Sequence, residues 1–432
     1  MNLTDQAAAD GGRRNARDPA NEEIHLSVVA TTRNDDHGGS LTRRTQHFVD
    51  GLVAQCKRHG LRAELILVEW NPPKERAPLI RELRWPADPG PCDIRIVTVP
   101  PEQHLVIAHA DKIRLFQMLA KNVGIRRARG RYVLATNIDI LFSDAAFRFL
   151  RDRLRPGRLY LADRADVPAE LPAGGDFEAV LKYCEDERFR VNTGGLIVER
   201  RTTRWRFFDQ LKMATGARLG YFLDRTAEFL RLVGTTFDNP RWAFRRLVGR
   251  GLAVTAAPNG DSRAGPGKTA RLSRARLPWL LAAGAWDIVH RIVFGVVKRL
   301  GEPFTNACGD FMVMSREDWF RIRGYVEWPM FSWHLDSLLV YQALANGIRA
   351  TRLDPQARVY HIDHSGGFAP QQAATLFSRL ESQGIPFLTD QELQRLHAEI
   401  AQKRRAGQAV QFNQPDWGLD AVRLPEGKPE TS

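Results

Sequence analysis

The strongest constraint on the fold is an alternation of short apolar runs with longer helix-forming stretches between residues 24 and 139. This alternation is typical of parallel strands joined by crossover helices, because a buried parallel strand is apolar on both faces. The predicted strands are IHLSVVAT (24–31), AELILVEW (63–70), IRIVTVP (94–100) and RYVLAT (131–136). The pattern therefore predicts an α/β fold whose first half is a nucleotide-binding type of half-sheet.

Helix signals lie between and after these strands. A helix from residue 41 is expected to stop at Gly60, and another is expected from about His109 to Ala128. Further along, the pattern predicts a strand followed by a helix over 306–325 and a helix over 333–348 that stops at Gly347. It also predicts a strand followed by a Gly-rich loop over 357–367. The second predicted helix places a set of apolar side chains on one face: Ile113, Phe116, Leu119, Ala120 and Val123.

Polar residues cluster at the carboxyl ends of three predicted strands, where ligands bind in open α/β sheets. These ends read TTRND (31–35), EWN (69–71) and NID (137–139). One strand-end acid is more often a helix cap or turn residue, but three together favour a binding site. On a continuing strand, Asn137 and Asp139 point to the same side and Ile138 points into the core. Such oxygens suit Mg²⁺ or Mn²⁺ shared with substrate phosphates.

The run KNVGIRRARGRYVLATNID (121–139) resembles the A-R-N-x-G-x-x-x-A-x-G-x-Y-(apolar)-x-x-x-D-x-D stretch of family 2-like glycosyltransferases with the GT-A fold. The resemblance implies a Rossmann-like nucleotide-diphospho-sugar transferase in which Asp139 holds a divalent metal. Asn137 stands where the family's first Asp is usual. The donor-binding residues that the resemblance implies are Thr32, Asp35, Glu69, Lys121, Asn122 and Asn137.

The second half is similar to the same family. NACGDFMVMSREDWFRIRGYVE (306–327) looks like its acceptor-side segment, and WHLDSLLVYQALANG (333–347) looks like its E-D-x-D-L-x-x-R helix. In inverting members the Asp of that E-D pair deprotonates the acceptor hydroxyl. The resemblance therefore implies Asp336 as the catalytic base, with Asp310 in reserve, although Asp336 read alone is an ordinary helix N-terminal acid.

The segment HIDHSGG (361–367) offers two histidines near the end of a predicted strand. Relatives in this family place a histidine after the acceptor helix, where it completes the metal site. Imidazole, a carboxylate and diphosphate oxygens form a reasonable Mn²⁺ set, and of the two we favour His361 over His364. The alternative is a hydrogen-bonded structural histidine.

The net charge of +13 is concentrated in one segment. Residues 200–300 hold 20 Lys and Arg against 6 Asp and Glu, so the remainder of the chain is close to neutral. Its amphipathic stretches, at 221–233 and 279–300, fit an interfacial helix lying on anionic lipid. A helical insertion packed on the core with a solvated basic face fits equally, and an arginine clamp for an anionic acceptor is a third use.

Five regions follow from these patterns. They are a disordered lead (1–22), a nucleotide-sugar-binding half (23–200), a basic amphipathic helical insertion (201–300), an acceptor and catalytic half (301–408) and a tail (409–432). Neither a secretory signal nor a membrane span is expected, which predicts a cytoplasmic protein. The basic insertion predicts that it also contacts the inner face of the membrane. The four cysteines have neither disulfide-scaffold nor zinc spacing.

The leading hypothesis is an inverting, metal-dependent glycosyltransferase that moves a sugar from a nucleotide donor, a UDP-sugar, to a glycan or lipid-linked acceptor in polysaccharide or glycolipid biosynthesis. A nucleic-acid-binding protein is the second hypothesis, but helix-turn-helix, RNP and zinc-finger signatures are missing and no nucleic-acid partner is expected. A degenerate GT-A-like domain serving as a peripheral membrane or scaffold protein is the third, motivated by Asn137.

Overall fold

A computed structural model describes residues 23–172, 176–193, 196–199, 305, 308–364 and 373–430. By its contacts the chain divides into one unit of Met1–Val198 with Phe304–Ser432 and a second unit of Glu199–Pro303. The architecture below is that of the first unit. The predicted disordered lead and the predicted basic insertion, with its stretches at 221–233 and 279–300, lie outside the described residues.

Two sheets hold the described strands. The larger has the order β11-β6-β10-β4-β1-β2-β3-β13, and the smaller has the order β5-β12-β7-β8-β9. The strands are β1 Leu26–Thr32, β2 Ala63–Trp70, β3 Cys92–Val99, β4 Tyr132–Ala135, β5 Ile140–Phe142, β6 Arg158–Leu161, β7 Arg164–Val167, β8 Arg190–Thr193, β9 Leu196–Glu199, β10 Met312–Ser315, β11 Arg349–Arg352, β12 Val359–Ile362 and β13 Glu426–Gly427.

Helices connect the strands of the described part. They are α1 Leu41–His59, α2 Leu79–Glu82, α3 Pro101–Leu105, α4 Gln117–Arg126, α5 Asp144–Asp152, α6 Phe177–Glu187, α7 Arg316–Ile322, α8 Leu335–Ala345, α9 Ala373–Ser382 and α10 Asp390–Arg405. A 3₁₀ turn at Cys308–Asp310 precedes β10. Among these helices, none has both the length and the apolarity that a membrane span needs.

The predicted α/β class is confirmed by the centre of the larger sheet. Strands β4, β1, β2 and β3 are parallel neighbours, and β2 is buried throughout. Strand β10 lies antiparallel between β4 and β6, so the sheet as a whole is mixed. Helix α1 ends as expected, with Gly60 in the left-handed conformation at φ 58°.

Two predicted boundaries are wrong in an informative way. Helix α4 begins at Gln117 rather than near His109, because 106–116 forms turns and His109 itself is left-handed at φ 65°. Strand β4 ends at Ala135, so Asn137 and Asp139 lie in the turn that leads to β5 and not on one continuing strand. Ile113 and Phe116 are nevertheless buried in the core as predicted.

The segment predicted as a tail is packed against the sheet. Trp417 and Leu424 are buried, and β13 pairs antiparallel with β3. Arg127 donates hydrogen bonds to the carbonyl oxygens of Gly418, Leu419 and Val422. The segment therefore covers an edge that would otherwise expose unpaired backbone groups of β3.

A buried carboxylate on β2 ties together the amino ends of the parallel strands. Glu64 is fully buried and accepts hydrogen bonds from the Ser27 hydroxyl at 2.6 Å and from the Arg129 backbone N–H at 2.6 Å. The guanidinium groups of Arg95 and Arg129 also donate to it. Burial by itself would raise the pKa of Glu64, but these donors outweigh it and lower the pKa below its ordinary value.

We expect Glu64→Ala to lower the free energy of unfolding by about 1–3 kcal/mol, because it leaves the buried Ser27 hydroxyl and the Arg129 N–H without their acceptor and removes one of the two carboxylate partners of Arg95. Urea denaturation measures the loss, and Glu75→Ala, which removes an exposed carboxylate after β2, should change stability by less than about 0.5 kcal/mol. Because the folded-state pKa is lowered, the contribution of Glu64 is present at neutral pH and fades as pH falls through that pKa. Equal losses in the two variants would contradict this account.

Candidate functional site

Strand pairing in the smaller sheet brings a carboxylate and two histidines together. Strand β12 pairs antiparallel with β5, with His361 opposite Ile140, and the Ile362 N–H donates to the Asp139 carbonyl oxygen at 2.9 Å. Asp139 precedes β5, His361 lies on β12 and His364 follows it. Their ligand atoms lie within 4.8 Å of one another, the one group of this kind among the described residues.

The geometry of this group fits a divalent cation. Asp139 Oδ2 lies 3.3 Å from His364 Nε2 and 3.8 Å from His361 Nε2. Asp139 Oδ1 is buried and accepts no hydrogen bond. A buried, unpartnered carboxylate oxygen beside two imidazole nitrogens is a donor set that Mn²⁺ accepts readily. We name these three residues the Asp-His-His group.

A carboxylate behind His361 fixes the orientation of its ring. Asp166 on β7 is fully buried, and its Oδ1 lies 2.9 Å from His361 Nδ1. Burial opposes the charge on Asp166, but His361, Arg164 and Arg190 keep its pKa well below the ordinary value. An ionised carboxylate can only accept, so Nδ1 carries the proton and Nε2 keeps its lone pair for a metal.

A cation also contacts the Asp-His-His group. Arg44 on α1 donates from Nη1 to Asp139 Oδ2 at 3.0 Å. Burial would raise the pKa of Asp139, but His361, His364 and Arg44 together hold it well below its ordinary value. Asp139 is therefore ionised across the physiological range, as a metal ligand must be.

Lys121 lies among three of the predicted carboxylates. It is fully buried on α4 and donates to the Gly309 carbonyl oxygen at 2.9 Å. Burial lowers its pKa to about 8, while the charges of Asp310, Asp336 and Asp139 act in the opposite direction. The structure therefore brings the carboxylates predicted from both halves of the chain around one lysine.

Asp336 has the surroundings that a base needs. It lies in the first turn of α8, and accepts from the Gly309 N–H at 3.0 Å and from the Ser337 N–H at 2.8 Å. Burial is the largest influence and raises its pKa above the ordinary value, against the effects of Ser337 and Lys121. A carboxyl group whose pKa is shifted toward neutrality holds a proton more readily.

Asp310 and Asn137 are hydrogen-bonded to each other. Asn137 donates from Nδ2 to Asp310 Oδ1 at 2.5 Å, and Arg164 donates to Asp310 Oδ2 at 2.9 Å. Asn137 Oδ1 in turn accepts from Gln117 at 3.0 Å. An amide at position 137 is thus complementary to Asp310, whereas an aspartate would set two carboxylates against each other.

The remaining predicted donor residues are held by their own neighbours. Thr32 accepts from the Asn34 N–H at 3.2 Å, Asp35 pairs with Arg33 at 3.0 Å, and Glu69 accepts from the Leu79 N–H at 2.8 Å. Burial raises the pKa of Glu69. All three lie at the carboxyl ends of β1 and β2, as predicted, and their role toward a donor stays a prediction.

Asn122 is placed away from this group of carboxylates. It is fully buried, its Nδ2 donates to the Tyr325 carbonyl oxygen at 2.8 Å, and its Oδ1 accepts from the Tyr325 N–H at 2.9 Å. Gly324, at φ 66°, has no room for a Cβ because Asn122 Oδ1 would lie 2.3 Å from it. These contacts describe a side chain that fastens α4 to the loop after α7.

Five residues of the site were not among the predicted ones: His364, Arg44, Arg164, Asp166 and Arg190. His364 was passed over for His361, although both approach Asp139. Arg44, Arg164 and Asp166 carry no sequence signal of their own, because each acts through a partner about 95 to 195 residues away in the chain. The histidine spacing in HIDH was the one signal available for His364.

Comparisons with known proteins add little to this geometry. No family model matches the chain, and no curated protein matches it in sequence. A solved structure described as GalNAc-T7 with UDP, GalNAc and Mn²⁺ is 13% identical, with a TM-score of 0.37. The alignment covers 93% of this chain, which spans 57% of that chain's length.

We expect Asn137→Asp to destabilise the protein at pH 7 by about 1–3 kcal/mol, because it replaces a donor to Asp310 with a like charge. Repulsion raises the pKa of one of the two carboxyl groups above its unfolded value, so the penalty is present above that pKa and disappears as pH falls below it. Urea denaturation at pH 7 and at pH 4.5 measures the difference, and Asn137→Ala, which adds no charge, is the control. A penalty of the same size at both pH values would contradict this account.

We expect one Mn²⁺ ion to bind the protein through the Asp-His-His group. Asp139→Ala should abolish binding, and Asp166→Asn should weaken it about 10–100-fold through the orientation of His361. Isothermal titration calorimetry or Mn²⁺ electron paramagnetic resonance gives the affinity. Asp354→Asn, an exposed carboxylate near β12, is the matched control and should bind like the wild type. Unchanged binding in Asp139→Ala would exclude this site.

Proposed function

We propose that the protein is an inverting, metal-dependent glycosyltransferase of the GT-A type that uses a nucleotide-sugar donor. The observation that carries this proposal is the Asp-His-His group at the turn after β4, at the carboxyl edge of the parallel strands. Ligands of open α/β sheets bind at this edge. The resemblance of 121–139 and 306–347 to family 2-like glycosyltransferases supports the same activity.

Asp139, His361 and His364 would hold Mn²⁺ or Mg²⁺, and Asp166 would orient His361. The bound cation would neutralise the donor diphosphate and stabilise it as a leaving group. The donor side would be lined by Thr32, Asp35, Glu69, Lys121 and Asn137. Of these, Lys121 donates to the Gly309 carbonyl oxygen and Asn137 donates to Asp310. Asn122 would support this side indirectly, by fixing α4 to the loop at Tyr325.

Asp336 is the preferred base for the acceptor hydroxyl. Two backbone N–H groups and the Cys308 thiol donate to it, whereas Asp310 is ion-paired with Arg164 and hydrogen-bonded to Asn137. An ion-paired carboxylate gives up charge stabilisation when it accepts a proton, so Asp310 is the poorer base. Removal of the acceptor proton as the sugar transfers is the step that an inverting mechanism requires.

The position of Asn137 favours an enzyme over a degenerate scaffold. Its departure from the usual Asp is matched by Asp310, so the substitution fits an intact site rather than a decayed one. Two further points stay predictions: that the acceptor is a glycan or a lipid-linked sugar, and that the protein attaches to an anionic membrane surface. The 201–300 segment on which they depend lies outside the described residues.

We expect Asp336→Asn to lower the transfer rate by about 10²–10⁴-fold while nucleotide and Mn²⁺ binding are retained. Release of UDP from a panel of UDP-sugars, with Mn²⁺ and candidate acceptors, measures the rate. In the wild type the rate should rise with pH through the pKa of Asp336, which burial raises, because the base acts unprotonated. Asp310→Asn is the comparison, and a larger loss there than in Asp336→Asn would reverse the two assignments.

A further inference from the structure

Arg44 is a buried cation that the proposed chemistry does not use. It lies in the first turn of α1 and is 3% exposed. Nη1 donates to Asp139 Oδ2 at 3.0 Å, while Nη2 donates to the carbonyl oxygens of His37 at 2.5 Å and Gly39 at 3.2 Å. One guanidinium therefore joins a metal-binding carboxylate to the loop 36–40.

The loop 36–40 packs directly against the Asp-His-His group. Asp36, Gly38, Gly39 and Ser40 all have positive φ, between 50° and 76°. A Cβ on Gly38 would lie 2.4 Å from His364 Nδ1, so the backbone approaches the histidine as closely as a glycine allows. Arg44 fixes this conformation by binding carbonyl oxygens on both sides of Gly38.

Arg44 also completes the charge balance of the site. Four carboxylates lie there, Asp139, Asp166, Asp310 and Asp336, and among the described residues four cations lie with them, Arg44, Arg164, Arg190 and Lys121. A divalent cation entering this balanced set would leave two uncompensated positive charges in a poorly solvated place. The negative charges of a diphosphate would compensate them.

We infer that Arg44 is a positioning residue that makes the site accept a divalent cation together with an anionic diphosphate rather than alone. It neutralises Asp139 and holds the 36–40 loop against His364. This inference rests on the proposed function, because it takes the Asp-His-His group as the metal site and a nucleoside diphosphate as the partner ligand.

The first test uses the wild-type protein. Mn²⁺ is titrated calorimetrically in the presence of saturating UDP, uridine or inorganic pyrophosphate, with the free Mn²⁺ corrected for complexes in solution. We expect UDP and pyrophosphate to tighten Mn²⁺ binding about tenfold or more, and uridine, which carries no phosphate, to leave it unchanged. Equal Mn²⁺ affinity with UDP and with uridine would overturn the inference.

The second test changes the charge at position 44. Arg44→Gln should bind Mn²⁺ alone about tenfold more tightly than the wild type and show less gain from UDP, because Asp139 is no longer neutralised. Arg44→Lys keeps the charge, so its affinity for Mn²⁺ alone should match that of the wild type. It loses the hydrogen bonds that the guanidinium donates to the carbonyl oxygens of His37 and Gly39. Arg43→Gln is the matched control, since it removes one exposed charge from the same turn, paired there with Glu170.

The outcomes separate this inference from the proposed function. Arg44→Gln that binds Mn²⁺ alone no better than Arg43→Gln overturns the role of Arg44 and leaves the metal site intact. A wild type that binds no Mn²⁺ with or without UDP overturns the metal site and the inference together. Thermal unfolding shows whether Arg44→Gln is folded. If it is not, equal Mn²⁺ affinity of the wild type with UDP and with uridine, or an affinity of Arg44→Lys for Mn²⁺ alone that differs from the wild type, would still overturn the inference.

Discussion

The pairing of β12 with its two neighbours is the interaction on which the site depends. Antiparallel pairing with β5 sets His361 opposite Ile140, next to Asp139, and parallel pairing with β7 sets His361 opposite Asp166. A candidate metal ligand, the carboxylate that orients it and the residue that follows Asp139 therefore share one short ladder. Backbone hydrogen bonds hold such a ladder more rigidly than side-chain contacts would, which is what a metal site requires.

The carboxylates of the site are held in place by the cations and N–H donors around them. An isolated buried carboxylate is costly, so each acid of the site has a cation or several N–H donors beside it. Asp310 is joined to Arg164, Arg164 to Asp166 and Asp166 to His361, so Asp310 and the Asp-His-His group share one polar network. Two backbone N–H groups and the Cys308 thiol donate to Asp336, and burial raises its pKa, which distinguishes it from its neighbours and suits it to accept a proton.

The sequence predicted much of the framework because the signal was local. The apolar runs of β1 and β2 and the glycine after α1 identified their elements within a residue or two. The helix expected from His109 began later, since a helical apolar pattern over 106–116 is equally satisfied by turns that bury Ile113 and Phe116. Asn137 was predicted to bind the donor in place of the family's usual Asp, and its hydrogen-bond partner, Asp310, was not apparent because 173 residues separate them.

The sequence by itself determined the α/β class and the strand ends that carry polar residues, Asp139 among them, while the resemblance to a known family added His361 and Asp336 as candidates. Periodicity and turn residues act over a few positions, so the fold class and the strand ends can be read without the fold. The tertiary structure alone decided that His364 joins His361, that Asp166 supports it, and that Arg44 neutralises Asp139. Those relations depend on strand order and register, and a charge acquires its partner only when distant segments pack together.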